Sequence, residues 1–375
     1  MTDAGELTRL VDRLAGLPSV ALDTESASFH RYVDRVYLVQ LSAGQDTSLV
    51  DPLAVGDLRP LGKLLGHADT EVVFHDADYD LRVLDRDYAL RARRVFDTRI
   101  AAQLAGEPAV GLGSLLEKHF HVKLDKRFQR ADWSLRPLTP EMLRYAADDT
   151  RYLLQLRHLL AERLTQLGRL EWALEEFQHL EAVRWSAPKR DEDGAHLRLK
   201  GAKVLAPRNL AILERLHDWR DRTARALDRA PFRVVSNSVL IALARAAPST
   251  RAAMSAVDGF PSSVLRRYGA EMLAVVAEAL RIPDADLPRQ KRTRRPPPDA
   301  QYDARLDRLK AVRNQRAADI DLDPGLVCPN GTLQAIARAI PQTPEALASV
   351  TELRNWQRTV LGVEPVLRAV VGSGT

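Results

Sequence analysis

The sequence predicts a multidomain protein in which an α/β layer domain is followed by two small all-α domains. Three observations carry that expectation. At 375 residues and ~150 residues per domain, two or three domains are expected. Four short Val/Leu-rich runs suited to strands open the chain, and stretches with three-four apolar spacing follow them. The C-terminal part then matches itself, without gaps, at an offset of 93 residues.

In chain order, the expected strands are SVALD at 19–23, VYLVQLS at 36–42, TSLVD at 47–51 and EVVFH at 71–75. Helical spacing covers 78–88, 98–105 and 140–183, with Asp97 or Thr98 available to cap the second and Pro140 placed where a helix would start. In the repeat, LIALARAAPST from Leu240 to Thr250 lies over LQAIARAIPQT from Leu333 to Thr343. The same offset pairs Leu213, Leu216 and Arg220 with Leu306, Leu309 and Arg313, and Asp228 and Pro231 with Asp321 and Pro324. Ile212, Leu216 and Trp219 step at helical spacing, and Pro231, Pro248, Gly259 and Gly269 punctuate four or five short helices per copy. Between the copies, LPRQKRTRRPPP at 287–298 packs five cations and no acid; it suits phosphate contact or a stiff solvated tether. The expected organisation is an α/β domain over 1–183, a linker over 184–204, a helical domain over 205–283, a basic Pro-rich linker over 284–299 and a second helical domain over 300–375.

Hydrophobic residues at 45% and charged ones at 28% exclude a mostly disordered or collagen-like chain. One cysteine, Cys328, allows neither an internal disulfide nor a cysteine-rich zinc site, so a reducing compartment fits best. No apolar run approaches the ~18 residues of a membrane span, and MTDAGELTRL lacks the pattern of a signal peptide. The expectation is a cytoplasmic protein without membrane contact. The net charge of +5 permits a polyanionic partner without demanding one.

The chemistry begins at Asp23 and Glu25, two apart at the end of the first strand, so that both carboxylates share a face. Like charges this close destabilise the fold unless a cation sits between them; the alternative is a pair of strand-end acids that cap turns. Tyr145 and Asp149 are four apart on a helical stretch and stack on one side, which a half-buried tyrosine beside surface acids would also produce. Asp80 follows the strand EVVFH, where Asp76 or Asp78 could instead serve as a helix cap. Each signal is weak alone. Four acids from a strand, a following helix and a later helix, with a tyrosine one turn before the last, are a specific combination.

With ALDTE at 21–25, VYLVQLS, the FH…DL element at 74–81, VFDTRIAAQLAG at 95–106, LDKRFQRADWSLRPL at 124–138 and YAADDTRYLL, the chain resembles ribonuclease D, of the DEDD superfamily of 3′–5′ exonucleases. The repeats look like tandem helicase-and-RNase-D C-terminal (HRDC) domains, with Leu213, Trp219, Arg220, Pro248, Gly259, Tyr268 and Gly269 in place in the first. In the second, Val312 replaces the Trp, Glu352 the Gly and Leu361 the Tyr, which implies a degenerate copy that has lost an ancestral surface. The resemblance implies a ribonuclease H-like exonuclease domain, metal ligation by Asp23, Glu25, Asp80 and Asp149, and Tyr145 beside the attacking water. Arg144 stands where the other branch of the superfamily has His, which places the chain in the Tyr branch.

Two Mg²⁺ or Mn²⁺ ions suit such a carboxylate set and such a hydrolysis. The implied activity is 3′–5′ trimming of RNA, tRNA precursors among the substrates, by a monomer. For substrate contact the candidates are Lys126, Arg127 and Arg130, with Lys123 and Arg136 in the same basic stretch, and Phe29 as a base-stacking wedge or a packing residue. Trp133 reads as core, and His75 stays outside the catalytic set. The rivals are a DNA exonuclease, separated by matched RNA and DNA oligonucleotides, and a non-catalytic nucleic-acid-binding scaffold, against which the complete set of acids argues.

Overall fold

The computed structural model describes residues 1–186, 194–288, 299 and 301–372. Most of the basic stretch expected at 287–298, and part of the 184–204 linker, therefore lie outside the described residues. The first domain runs α1 (Ala4–Leu14), β1 (Ser19–Ser26), β2 (Val36–Ala43), β3 (Asp46–Val50), α2 (Pro52–Val55), α3 (Leu61–Leu65), β4 (Glu71–Phe74), α4 (Asp78–Tyr88), β5 (Val95–Asp97), α5 (Thr98–Leu104), α6 (Leu112–Phe120), α7 (Pro140–Arg151), α8 (Leu153–Gln166) and α9 (Leu170–Glu181). The sheet order is β3-β2-β1-β4-β5, with β1–β2 and β2–β3 antiparallel and β1–β4 and β4–β5 parallel.

Because successive strand residues face opposite ways, this sheet feeds two cores. Val20, Leu22, Val72, Phe74 and Val95 pack with α1, α3 and α4, whereas Ala21, Val73 and Phe96 pack with α5, α8 and α9. Burial on both faces explains why the strands read as continuous apolar runs rather than alternating ones.

The strand expectations hold within one residue at most ends, apart from β1, which continues three residues further, to Ser26. Two expectations need correction. The helical stretch 140–183 is three helices, broken near Tyr152 and again at Gly168, whose φ of +67° ends α8. The start of α4 is not capped by Asp76 or Asp78: Ala77 holds the cap position without a side-chain bond, and Asp78 pairs with Arg82. Asp97 does cap α5, accepting from the backbone N–H groups of Arg99 and Ile100.

The helical domains are α10 (Pro207–Ala226), α11 (Pro231–Val234), α12 (Asn237–Ala246), α13 (Arg251–Ser255) and α14 (Ser262–Leu280), then α15 (Tyr302–Asp319), α16 (Pro324–Val327), α17 (Asn330–Ala339), α18 (Pro344–Ala348), α19 (Asn355–Leu361) and α20 (Val363–Val371). At an offset of 93, α11, α12 and α13 coincide with α16, α17 and α18 at both ends. The repeat extends to single bonds: Arg220 donates to the Val235 carbonyl and Asn237, and Arg313 to the Cys328 carbonyl and Asn330. Left-handed residues recur as well, at Asp228 and Asp321 and at Ala247 and Ile340.

Not all helices are short, since α10 and α14 have 20 and 19 residues. The second copy splits the counterpart of α14 at Gly362, with φ +78°. Pro365, three residues on, has no N–H to continue an unbroken helix and its ring crowds the carbonyl of Leu361.

The two copies present different aromatic surfaces. In the first copy Trp219 meets Tyr268 edge to face at 5.5 Å and donates to Glu271, a pair that Val312 and Leu361 cannot form. The second copy instead carries Trp356, which stacks on Trp172 of α9 at 5.2 Å and 16°. Its indole N–H donates to Glu176, and the backbone N–H groups of Asn355 and Trp356 donate to Glu175. Arg169 ties the same face down through the carbonyls of Leu104 and Ile320. The first helical domain docks elsewhere, on the loop after β1, where Tyr32 bonds Asp221 and Ala230 donates to the His30 carbonyl.

Candidate active site

Asp23 and Glu25 project from the end of β1 on one face, and α7 crosses β1, β2 and β3 to bring Asp149 against them. Thr139 caps α7 by accepting from Met142, and Pro140 occupies its first turn. At the far end, Thr150 and Ser42 of β2 share a buried hydroxyl bond of 2.7 Å, which fixes the height of Asp149 over the sheet. Ligand oxygens of Asp23, Glu25 and Asp149 lie within 4.8 Å of one another.

The electrostatics are strained as three half-buried carboxylates crowded together must be. Burial, then the Asp149 charge, pushes the Asp23 carboxyl well above its ordinary range. Burial, then Asp23, does the same to Glu25. Burial, then Asp148, raises Asp149 to about 7, against a lowering hydrogen bond from Tyr145. Asp80 stands behind this trio on the first turn of α4, buried, accepting from the Thr24 hydroxyl and raised by burial and by Asp23. Among the described residues no ion pair engages these four acids. Gln40, in register opposite Asp23, is fully buried with neither amide atom partnered. Mutually repelling hard oxygen donors beside an unpaired amide fit hydrated divalent cations.

Tyr145 lies one turn before Asp149, between Phe128 at 5.9 Å and Trp133 at 6.0 Å. Trp133 is fully buried, as expected for core. Burial and the neighbouring carboxylates, Asp149 foremost, push the Tyr145 phenol far up, so it keeps its proton and donates to Asp149. These groups line a cavity of about 330 Å³ together with His75, Gly111 to Ser114 at the start of α6, Leu124, Asp125, Lys126 and Gln129. His75 is held down to about 4, by burial and then by Arg99. Sequence reasoning set His75 aside and did not reach Gln40, Gln129 or the α6 start; the FH element was the available signal for the first and VYLVQLS for the second.

Of the basic candidates, Lys126 reaches this cavity. Arg127 folds back onto Asp125, and Lys123 pairs with Glu117 on the surface. Arg130 lies over the Phe29 ring at 5.2 Å. Arg136 does not face solvent for phosphate: its guanidinium grips both Asp51 oxygens and the carbonyls of Tyr37, Trp133 and Leu135. Phe29 meets Phe232 of the first helical domain at 6.2 Å, 78°, and both rings remain about half exposed.

The family described as 3′–5′ exonuclease matches residues 1–165, and that described as HRDC domain matches 209–276 and 303–370. Ribonuclease D of Xanthomonas oryzae pv. oryzae is 33% identical over 374 residues, covering 96% of this chain and 97% of its own. Ribonuclease D of Gluconacetobacter diazotrophicus is 30% identical, covering 97% and 91%. Among solved structures, Escherichia coli RNase D, described as an exoribonuclease involved in structured RNA processing, superposes with a TM-score of 0.71 at 27% identity, covering 100% of this chain and 99% of its own.

Proposed function

The chain belongs to the ribonuclease D family, and from that premise we propose that Asp23, Glu25, Asp80 and Asp149 hold two divalent ions, Mg²⁺ or Mn²⁺, for hydrolysis at RNA 3′ ends. It is a 3′–5′ exoribonuclease. The observation that carries the site is the convergence of three carboxylates from β1 and α7 within 4.8 Å in a lined cavity.

When bound, the ions would activate the attacking oxygen, neutralise the developing dianion and help the 3′-oxyanion depart. The residues do the rest. Asp23 would serve both ions, Glu25 and Asp149 would help hold one of them, and Asp80 would help hold the other. Tyr145 orients the attacking water rather than deprotonating it, since a phenol with an ordinary pKa near ~10 keeps its proton at neutral pH. Lys126 meets phosphate at the cavity wall. Substrates are tRNA precursors and other small structured RNAs, and the protein works as a monomer in the cytoplasm. No described helix is long and apolar enough to cross a membrane.

Calorimetric titration of the metal-free protein with Mn²⁺ tests the ligand set. Two sites are expected in the unaltered chain, with both weakened in Asp23→Asn and one retained in Asp149→Asn. Unchanged stoichiometry and affinity in both variants would place the metals elsewhere.

A further inference from the structure

His75 carries chemistry that the reading above does not use. It stands just past the end of β4, two residues beyond Val73, which pairs with Ala21, and Asp23 stands two residues beyond Ala21 within β1. Both therefore emerge on one face, and both line the cavity. The group of carboxylates within 4.8 Å leaves His75 outside it, so the ring is a wall of the site rather than part of the ligand cluster.

Its tautomer follows from a chain of hydrogen bonds. The Thr98 hydroxyl donates to the Phe74 carbonyl at 2.9 Å, and His75 Nδ1 lies 2.9 Å from the same hydroxyl oxygen. A hydroxyl has one proton. With that proton given to the carbonyl, all three groups are satisfied only if Nδ1 carries a proton and donates to Thr98. Nε2 is then a bare lone pair, an acceptor on a ring that lines the cavity.

Resting on the exoribonuclease reading, we infer that His75 Nε2 accepts a hydrogen bond from a ribose 2′-hydroxyl flanking the scissile bond, and so selects RNA over DNA. The chemistry of the substrate narrows the choice. Phosphate oxygens are acceptors and would oppose a bare lone pair, whereas the 2′-hydroxyl is a donor that RNA has and DNA lacks. The attacking water belongs on the α7 side, beside Tyr145 and Asp149. Removing the donor leaves a desolvated acceptor unpaired, which is how a site rejects a deoxy analogue.

Two variants separate the acceptor from the scaffold. In His75→Asn the amide nitrogen overlays Nδ1 and keeps the Thr98 bond but does not reach the cavity. In His75→Gln the amide oxygen can stand where Nε2 does. Matched oligonucleotides with ribose throughout, or with a single 2′-deoxy sugar at the last or the penultimate position, are trimmed by each protein. The unaltered protein should prefer ribose at one of these positions, and the two arms say which. His75→Asn should lower that preference ~5–10-fold while His75→Gln retains part of it. Affinities for 5′-AMP and 5′-dAMP, measured calorimetrically, give the same ratio for a terminal contact if a variant turns over too slowly. A preference unchanged in His75→Asn, or an equal loss on ribose and deoxyribose ends, overturns the inference. Failure of the unaltered protein to trim RNA at all would instead overturn the reading on which it rests.

Discussion

Asp23 is the residue on which most of the site's electrostatic strain converges: half-buried, it is opposed by Asp149 and itself raises Glu25 and Asp80. Asp23→Asn should therefore remove activity by at least ~10³-fold while raising the thermal midpoint of the metal-free protein, because it deletes a repelling charge and keeps the volume. Unchanged turnover, or a lowered midpoint without metal, contradicts this. Tyr145→Phe should leave Mn²⁺ affinity intact and lose ~10²–10⁴ in rate, the range of a positioned proton-handling group; near-normal turnover would assign the phenol to its packing against Phe128 and Trp133. The shared faces of Asp23 with Glu25 and of Tyr145 with Asp149 were legible in the sequence because spacing in a strand and a helix fixes them; joining both pairs to Asp80 in one set rested on the family resemblance. The roles of His75, Gln40 and Arg136 were not, since a tautomer, an orphaned amide or a guanidinium committed to Asp51 depends on partners distant in the chain.

Among the elements, the strands announced themselves as apolar runs, but β5 did not. Its three residues, Val95–Asp97, are too short to show a period, and burial on both faces removes any alternation. The repeat was legible at a distance because helix ends, caps and the Arg220 and Arg313 bonds all keep one offset. What the sequence could not show is where each copy docks. Trp356 of α19 is almost fully buried, stacked on Trp172 of α9, so the second copy's altered surface is part of the enzyme's frame. Trp356→Ala should cost ~3–5 kcal/mol of the docked state and let the domain part from α9. The expected signature is a larger radius of gyration in solution scattering with a lower thermal midpoint. If both stay unchanged, this contact does not hold the domain.

At the scale of the whole molecule, the acidic cluster links stability to pH and metal. Carboxyls raised in the native state hold protons that the unfolded chain, with values near ~4, has already released. The native state then binds more protons, so stability falls as pH rises, from about that value up through about 7, where Asp149 lets go. In EDTA the thermal midpoint should drop by several degrees between pH 5 and pH 8, and Mg²⁺ or Mn²⁺ at pH 8 should restore it. A metal-free midpoint that climbs over this range would contradict the assignment of strain to these acids. The most direct test of metal-dependent 3′–5′ trimming is a denaturing gel of 5′-labelled single-stranded RNA incubated with Mg²⁺, Mn²⁺ or EDTA. A ladder that shortens stepwise from the 3′ end is expected with either metal, and intact RNA in EDTA or with Asp23→Asn. Internal fragments, or trimming that survives EDTA, would contradict it.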